Sequence, residues 1–180
     1  MLRKITSLVI FSLLLRVSSA ENIPNRELPE GTAKVVAYLY DFKAGGLWIV
    51  SGGKLNQGVI SSFTKTLSEK DTKILLDAFT EKHAPRPRPF CEPAPHHGLV
   101  FYSEHDEILG SVSVCFQCST TYSGVFTHQR NSLQSFWDWE AIRRVFTNNG
   151  FPILDKNEDY TKLWKKTNQA KMVEPRKPSD

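Results

Sequence analysis

Thiols are scarce in this chain, which has three cysteines in 180 residues, Cys91, Cys115 and Cys118. So few exclude a disulfide-dense mini-scaffold, and an odd number leaves one sulfur over in any set of internal bridges. No apolar run approaches the roughly 20 residues that cross a bilayer. The most apolar stretch, Ile5 to Leu15, is 11 residues long and is broken by Thr6, Ser7 and Ser12. Neither sign of charge dominates, with 23 Lys+Arg against 19 Asp+Glu. Internal repeats, low-complexity tracts and Asn-x-Ser/Thr acceptor sites are missing as well.

Several chemical motifs are absent by a residue or two. Gly53 and Lys54 resemble the end of a phosphate-binding loop, but Trp48 stands where its first glycine belongs and Leu55 where a hydroxyl is needed, so no nucleotide is expected. A Gly-x-Ser-x-Gly nucleophile elbow does not occur. Cys115-Phe116-Gln117-Cys118 continues into Ser119 rather than His, which excludes haem attachment. The same pair follows a strand-like SVSVCF and precedes STTYSGV, which lacks helical periodicity, so a thioredoxin-type centre at a helix N-terminus does not fit.

What is present begins with MLRKITSLVIFSLLLRVSSA, where Arg3 and Lys4 precede the apolar stretch and Ser18 and Ala20 supply small residues. This pattern predicts a secretory signal peptide over 1–20, with cleavage after Ala20 and export to the periplasm or the extracellular space. Loss of Arg3, Lys4 and Arg16 leaves 20 Lys+Arg against 19 Asp+Glu, too even a balance for nucleic acid. No stable membrane anchor is expected after cleavage. Residues 21–32, with two prolines, read as an irregular lead-in. Residues 161–180, with Lys162, Lys165, Lys166, Lys171, Arg176 and Lys177, read as a basic, partly disordered tail.

Between them, 33–160 is expected to be one α+β domain, a mainly antiparallel sheet packed against two helices. AKVVAYLY (33–40), LWIV (47–50) and VISSF (59–63) are rich in β-branched and aromatic residues, and short connections favour antiparallel pairing. Ser68 caps a helix over 69–82 whose Ile74, Leu75, Ala78 and Phe79 share one face, with His83 at its C-terminal end. Three prolines in PRPRP (85–89) then impose an extended connector. A second helix is expected near 136–148, capped by Ser135, with Trp139, Ile142 and Phe146 inward and Asn149-Gly150 as its stop.

The stretch from Cys91 to Cys118 holds every cysteine and three of the five histidines. LVFYS (99–103) and ILGSVSVCF (108–116) flank the polar EHDE, a common hairpin loop length. With Ser103 opposite Ile108, facing residue numbers add to 211, which sets Cys115 across from His96 and Cys118 near Pro93 and Cys91. Ile108, Val112, Val114 and Phe116 then face the core, while Ser111, Ser113 and Cys115 share the other face, where an added charge should be mild. His96 shares the Cys115 face, and a one-residue slip would substitute His97.

Three chemistries are open to these residues. Cys91, Cys115, Cys118 and His96, with His97 as the alternative, form a Cys₃His set suited to tetrahedral zinc. An oxidising compartment favours a disulfide from Cys91 to Cys115 or Cys118. A low-pKa cysteine beside histidine would be a nucleophile, although no orienting Asn or Asp is identifiable. The odd thiol and the paired histidines favour zinc. The expected role is therefore an exported binding protein of undefined ligand, with a metal-free disulfide-stapled interaction domain as the alternative and a thiol-dependent enzyme third.

The run C-x-x-x-P-H-H-G-L-V-F-Y, a polar turn and V-C-F-Q-C also resembles a signature of uncharacterised exported bacterial proteins. It covers 91–118 well and the remainder loosely. The resemblance implies a single exported bacterial domain and no established activity.

Overall fold

The central strands of the sheet have side chains buried on both faces, and this arrangement positions the cysteine region. The structure is a computed structural model that describes residues 27–80, 83, 86, 87, 89, 91–126, 134, 135 and 137–173. The expected signal segment and residues 21–26 of the lead-in lie outside the described residues.

β1 (Lys34–Tyr40) is followed by a single helical turn, α1 (Phe42–Gly45), and by two strands of two residues each, β2 (Val50–Ser51) and β3 (Lys54–Leu55). Gly52 and Gly53, both at positive φ, close that small hairpin. β4 (Val59–Thr66) leads into α2 (Glu69–Thr80), where Ser68 Oγ accepts from the Asp71 amide as the capping pattern predicts. His83 Nε2 lies 3.3 Å from the Asp77 carbonyl near the end of α2, in the capping role expected of it. Of the proline-rich connector, β5 (Arg86–Pro87) pairs with β9 (Gln134–Ser135).

β6 (His97–Tyr102), β7 (Ile108–Cys115) and β8 (Thr120–Ser123) complete an antiparallel sheet in the order β4-β1-β6-β7-β8. α3 (Trp139–Asn148) and α4 (Asn157–Val173) end the described chain. The architecture is the expected single α+β domain with a mainly antiparallel sheet, with four helices among the described residues rather than two.

The register of β6 with β7 is the predicted one, with His97 opposite Val114, Leu99 opposite Val112 and Phe101 opposite Gly110. It slips by one near the turn, where Tyr102 meets Ile108. The turn is shorter than expected. Ser103 N donates to Glu107 O, and Asp106 takes the left-handed conformation that a three-residue loop requires. The resulting bulge turns Ile108 to the face opposite Val112 and Val114, which corrects its expected placement.

One sheet face carries Val35, Ala37, Leu39, Leu99, Phe101, Val112 and Val114 against Leu75 and Phe79 of α2 and Ile142, Val145 and Phe146 of α3. The other face, expected to tolerate charge, is buried too. Val36, Tyr38, Tyr40 and Val100 pack there with Ile49, which reaches in from the segment between α1 and β2. Ser113 is 1% exposed, and its Oγ accepts from the Ile49 amide at 2.8 Å. LWIV is thus not a strand of the five-stranded sheet, and only its last residue, Val50, is in a strand, β2. Leu47 to Ile49 belong to an irregular cover over the second face, anchored by the buried Ile49 side chain and its bonded amide.

Two helix expectations are also revised. Asp138, not Ser135, caps α3 and accepts from the Glu140 and Ala141 amides, while Ser135 is in β9. α4 takes in 161–173 of the expected basic tail, since Tyr160, Leu163 and Trp164 form an apolar face that packs on the core. No helix among the described residues is long and apolar enough to cross a membrane.

Candidate functional site at the open end of the hairpin

β7 ends at Cys115, opposite Thr120 of β8, so residues 116–119 form a four-residue turn. Ser119 adopts a positive φ to close it. That reversal carries Cys118 back towards the segment entering β6, where Cys91 precedes the strand. Cys91 and Cys118 form a disulfide with Cα atoms 5.7 Å apart, an ordinary span for the bond. Cys115 remains a free thiol and is 1% exposed. Of the two pairings open to Cys91 in the sequence, the turn selects the one with Cys118.

His96 is buried just ahead of β6 and touches the end of β1 and the first turn of α4. Its Nδ1 lies 3.0 Å from the Tyr40 carbonyl at the end of β1, and its Nε2 lies 3.0 Å from Asn157 Oδ1 at the start of α4. The ring stacks on Tyr160, with centroids 3.7 Å apart. The Tyr40 carbonyl and Asn157 Oδ1 both accept, so a neutral ring donates its one N–H to one of them at a time. Burial lowers the His96 pKa and holds the ring in that neutral form, against the opposing pull of its Asn157 and Tyr40 bonds.

His97, by contrast, points into the helical side of the sheet. Its Nε2–H donates to the Pro152 carbonyl at 3.0 Å, and its ring meets the edges or faces of Phe116, Phe146 and Tyr160. Complete burial lowers its pKa to about 3. Tyr160 Oη receives the Leu154 amide at 2.8 Å, and burial raises its phenol to about 12. The two adjacent histidines therefore fasten the 152–160 segment to the sheet, one through Asn157 and the other through Pro152.

This geometry bears on each chemistry in turn. The sulfurs of Cys91 and Cys118 are bonded to each other, and a zinc ligand must be a free thiolate. Both nitrogens of His96 are engaged, and among the described residues no group of three or more His, Cys, Asp or Glu side chains is placed to hold a metal ion. The oxidised site thus does not fit zinc, whose binding here needs the bridge reduced. Asn157 supplies the orienting amide that the sequence did not reveal, yet the other nitrogen of His96 faces the Tyr40 carbonyl rather than Cys115. A thiol nucleophile would need that nitrogen as its base.

Tyr40, Asn157 and Tyr160 were missed as neighbours of the histidines. The spacing of Tyr160, Leu163 and Trp164 was the available signal, hidden by the lysines around it. No protein-family model, curated protein or solved structure matches the chain.

Proposed function

We propose that the chain is an exported, disulfide-stapled interaction domain that acts without a metal. One observation carries the reading, namely the Cys91–Cys118 bridge across the open end of the β6–β7 hairpin. A bridge of this kind persists in an oxidising compartment, which agrees with the secretory pattern of residues 1–20. The neighbouring histidines support the same reading, because each is spent on a structural bond to the 152–160 segment.

A thiol count on denatured protein, isolated without chelator or reductant, tests the proposal when combined with elemental analysis. One free thiol of three and no stoichiometric zinc is the expected result. Three free thiols with about one zinc per chain would overturn it in favour of Cys91, Cys115, Cys118 and His96 or His97 as ligands. Export is tested separately by the N-terminus of secreted material, which should be Glu21.

A further inference from the structure

Leu47 and Trp48 are the two exposed large apolar residues among those described, 42% and 44% exposed, and they are consecutive. Their exposure is not the result of a loose loop. The Tyr40 hydroxyl donates to the Leu47 carbonyl at 2.7 Å, and buried Asn56 donates to the carbonyls of Gly46 and Trp48 at 2.8 and 2.7 Å. The next residue, Ile49, is fully buried, with its amide bonded to Ser113. The Trp48 ring is also braced edge-on by Tyr122 of β8, with centroids 4.6 Å apart. Buried polar groups thus fix a backbone whose exposed large apolar side chains are one leucine and one tryptophan, and a preordered contact of that kind loses little entropy on binding.

The shape and charge of this tip narrow its partner. Where side chains at Gly46, Gly52 and Gly53 would stand there is open space. Less than half of two large side chains is uncovered, on the order of 200 Å². A stable protein interface takes roughly 800 Å² from each partner. Shallow insertion at a headgroup boundary needs no such area, and tryptophan favours that boundary. Residues 42–58 contain Lys43 and Lys54 and no Asp or Glu. Lys54 is exposed, and Lys43 lies 3.3 Å from Glu158.

We propose that this tip is a reversible membrane-docking surface, seating Leu47 and Trp48 in the headgroup region of an anionic bilayer with Lys54 on its phosphates. The inference rests on the reading as an interaction domain outside the cytoplasm and supplies its partner.

The test is co-sedimentation of the chain from Glu21 to Asp180, which contains every residue of both cores, with vesicles of phosphatidylcholine alone or mixed with phosphatidylglycerol. The parent should bind the anionic vesicles, more weakly as salt rises. Leu47→Ser/Trp48→Ser should lower binding about tenfold or more, and Lys54→Glu about fivefold or more. Lys54→Glu should keep the parent's thermal transition, and the double variant should keep a cooperative one, since neither Leu47 nor Trp48 belongs to the buried core. Absence of binding by the parent would overturn the lipid partner and leave a protein groove as the occupant. Undiminished binding by the double variant would overturn it as well, assigning the contact to the lysines of 162–177. Neither result alters the thiol count, so the stapled domain stands or falls separately.

Discussion

Ile49 occupies the space that a side chain at residue 98 would need. A Cβ placed on Gly98 would lie 2.5 Å from Ile49 Cγ1 and 2.7 Å from its Cβ. Gly98 is in β6, and its side of the sheet at that point is covered by Ile49 alone among the irregular segment's fully buried side chains. Gly98→Ala should therefore destabilise the protein by about 1–3 kcal/mol in denaturant unfolding. Adding Ile49→Ala should recover part of that loss in a double-mutant cycle, and strict additivity would show that the two residues do not press on each other.

Both faces of β7 should resist charge. Val112 is fully buried towards the helices and Ser113 is buried towards the irregular cover, so Val112→Asp and Ser113→Asp should each cost several kcal/mol. Ser113→Ala is the finer probe, since it strands the Ile49 amide and should cost about 1–3 kcal/mol. A stability change of Ser113→Ala close to zero would mean that the cover does not depend on this bond.

Acid should loosen the histidine clamp. The folded pKa of His97 is about 3 against an ordinary 6.5, so the unfolded chain binds the extra proton first as pH falls. Stability is then full above about pH 6.5 and declines on going down towards the folded value, by up to ~1.4 kcal/mol per pH unit from this one group. His97→Gln keeps an amide donor for the Pro152 carbonyl without titrating. Its loss of stability between about pH 7 and 5 should be smaller than the parent's by roughly that slope, and equal pH slopes in the two proteins would refute the assignment.

The three cysteines should not be equivalent. Cys91→Ser or Cys118→Ser opens a bridge with a sequence separation of 27 and should cost about 3–4 kcal/mol by the loop-entropy relation. Cys115→Ala removes only a small buried thiol and should cost about 1 kcal/mol. Reductant should destabilise the parent and leave the Cys91→Ser protein unchanged. Equal losses at all three positions would instead point to a shared ligand set.

The hairpin and the two helical faces were legible because each carries a local period. Alternation in SVSVC, with the polar turn, fixed the β6–β7 register, and the helical spacing of Trp139, Ile142 and Phe146 fixed the inner face of α3. The bulge beyond Phe101 escaped notice, since it is set by one left-handed residue, Asp106, that any polar loop can contain. Burial of the second sheet face was signalled only indirectly, by the unbroken apolar run of β1, whose Val36, Tyr38 and Tyr40 have no other place to go. The covering segment has no period of its own, because Ile49 and Asn56 hold it through single contacts.

For the candidate site the sequence brought Cys91 and Cys118 together through the hairpin and left their pairing open. The choice between Cys115 and Cys118 depends on a turn whose closing residue, Ser119, is unusual in its left-handed conformation. The hydrogen-bond partners of His96 and His97 come from residues more than 50 positions away, on segments without a recognisable motif.

The position of Cys115 inside β7 has a consequence for the order of events during maturation. A hairpin closes in roughly 1–10 μs, whereas a disulfide takes seconds or longer to form. Strand pairing therefore has time to withdraw Cys115 before any oxidant acts, leaving Cys91 and Cys118 as the accessible couple. The ladder acts as a kinetic filter on thiol pairing, and a chain oxidised while still unfolded would lack that filter and accumulate mispaired isomers.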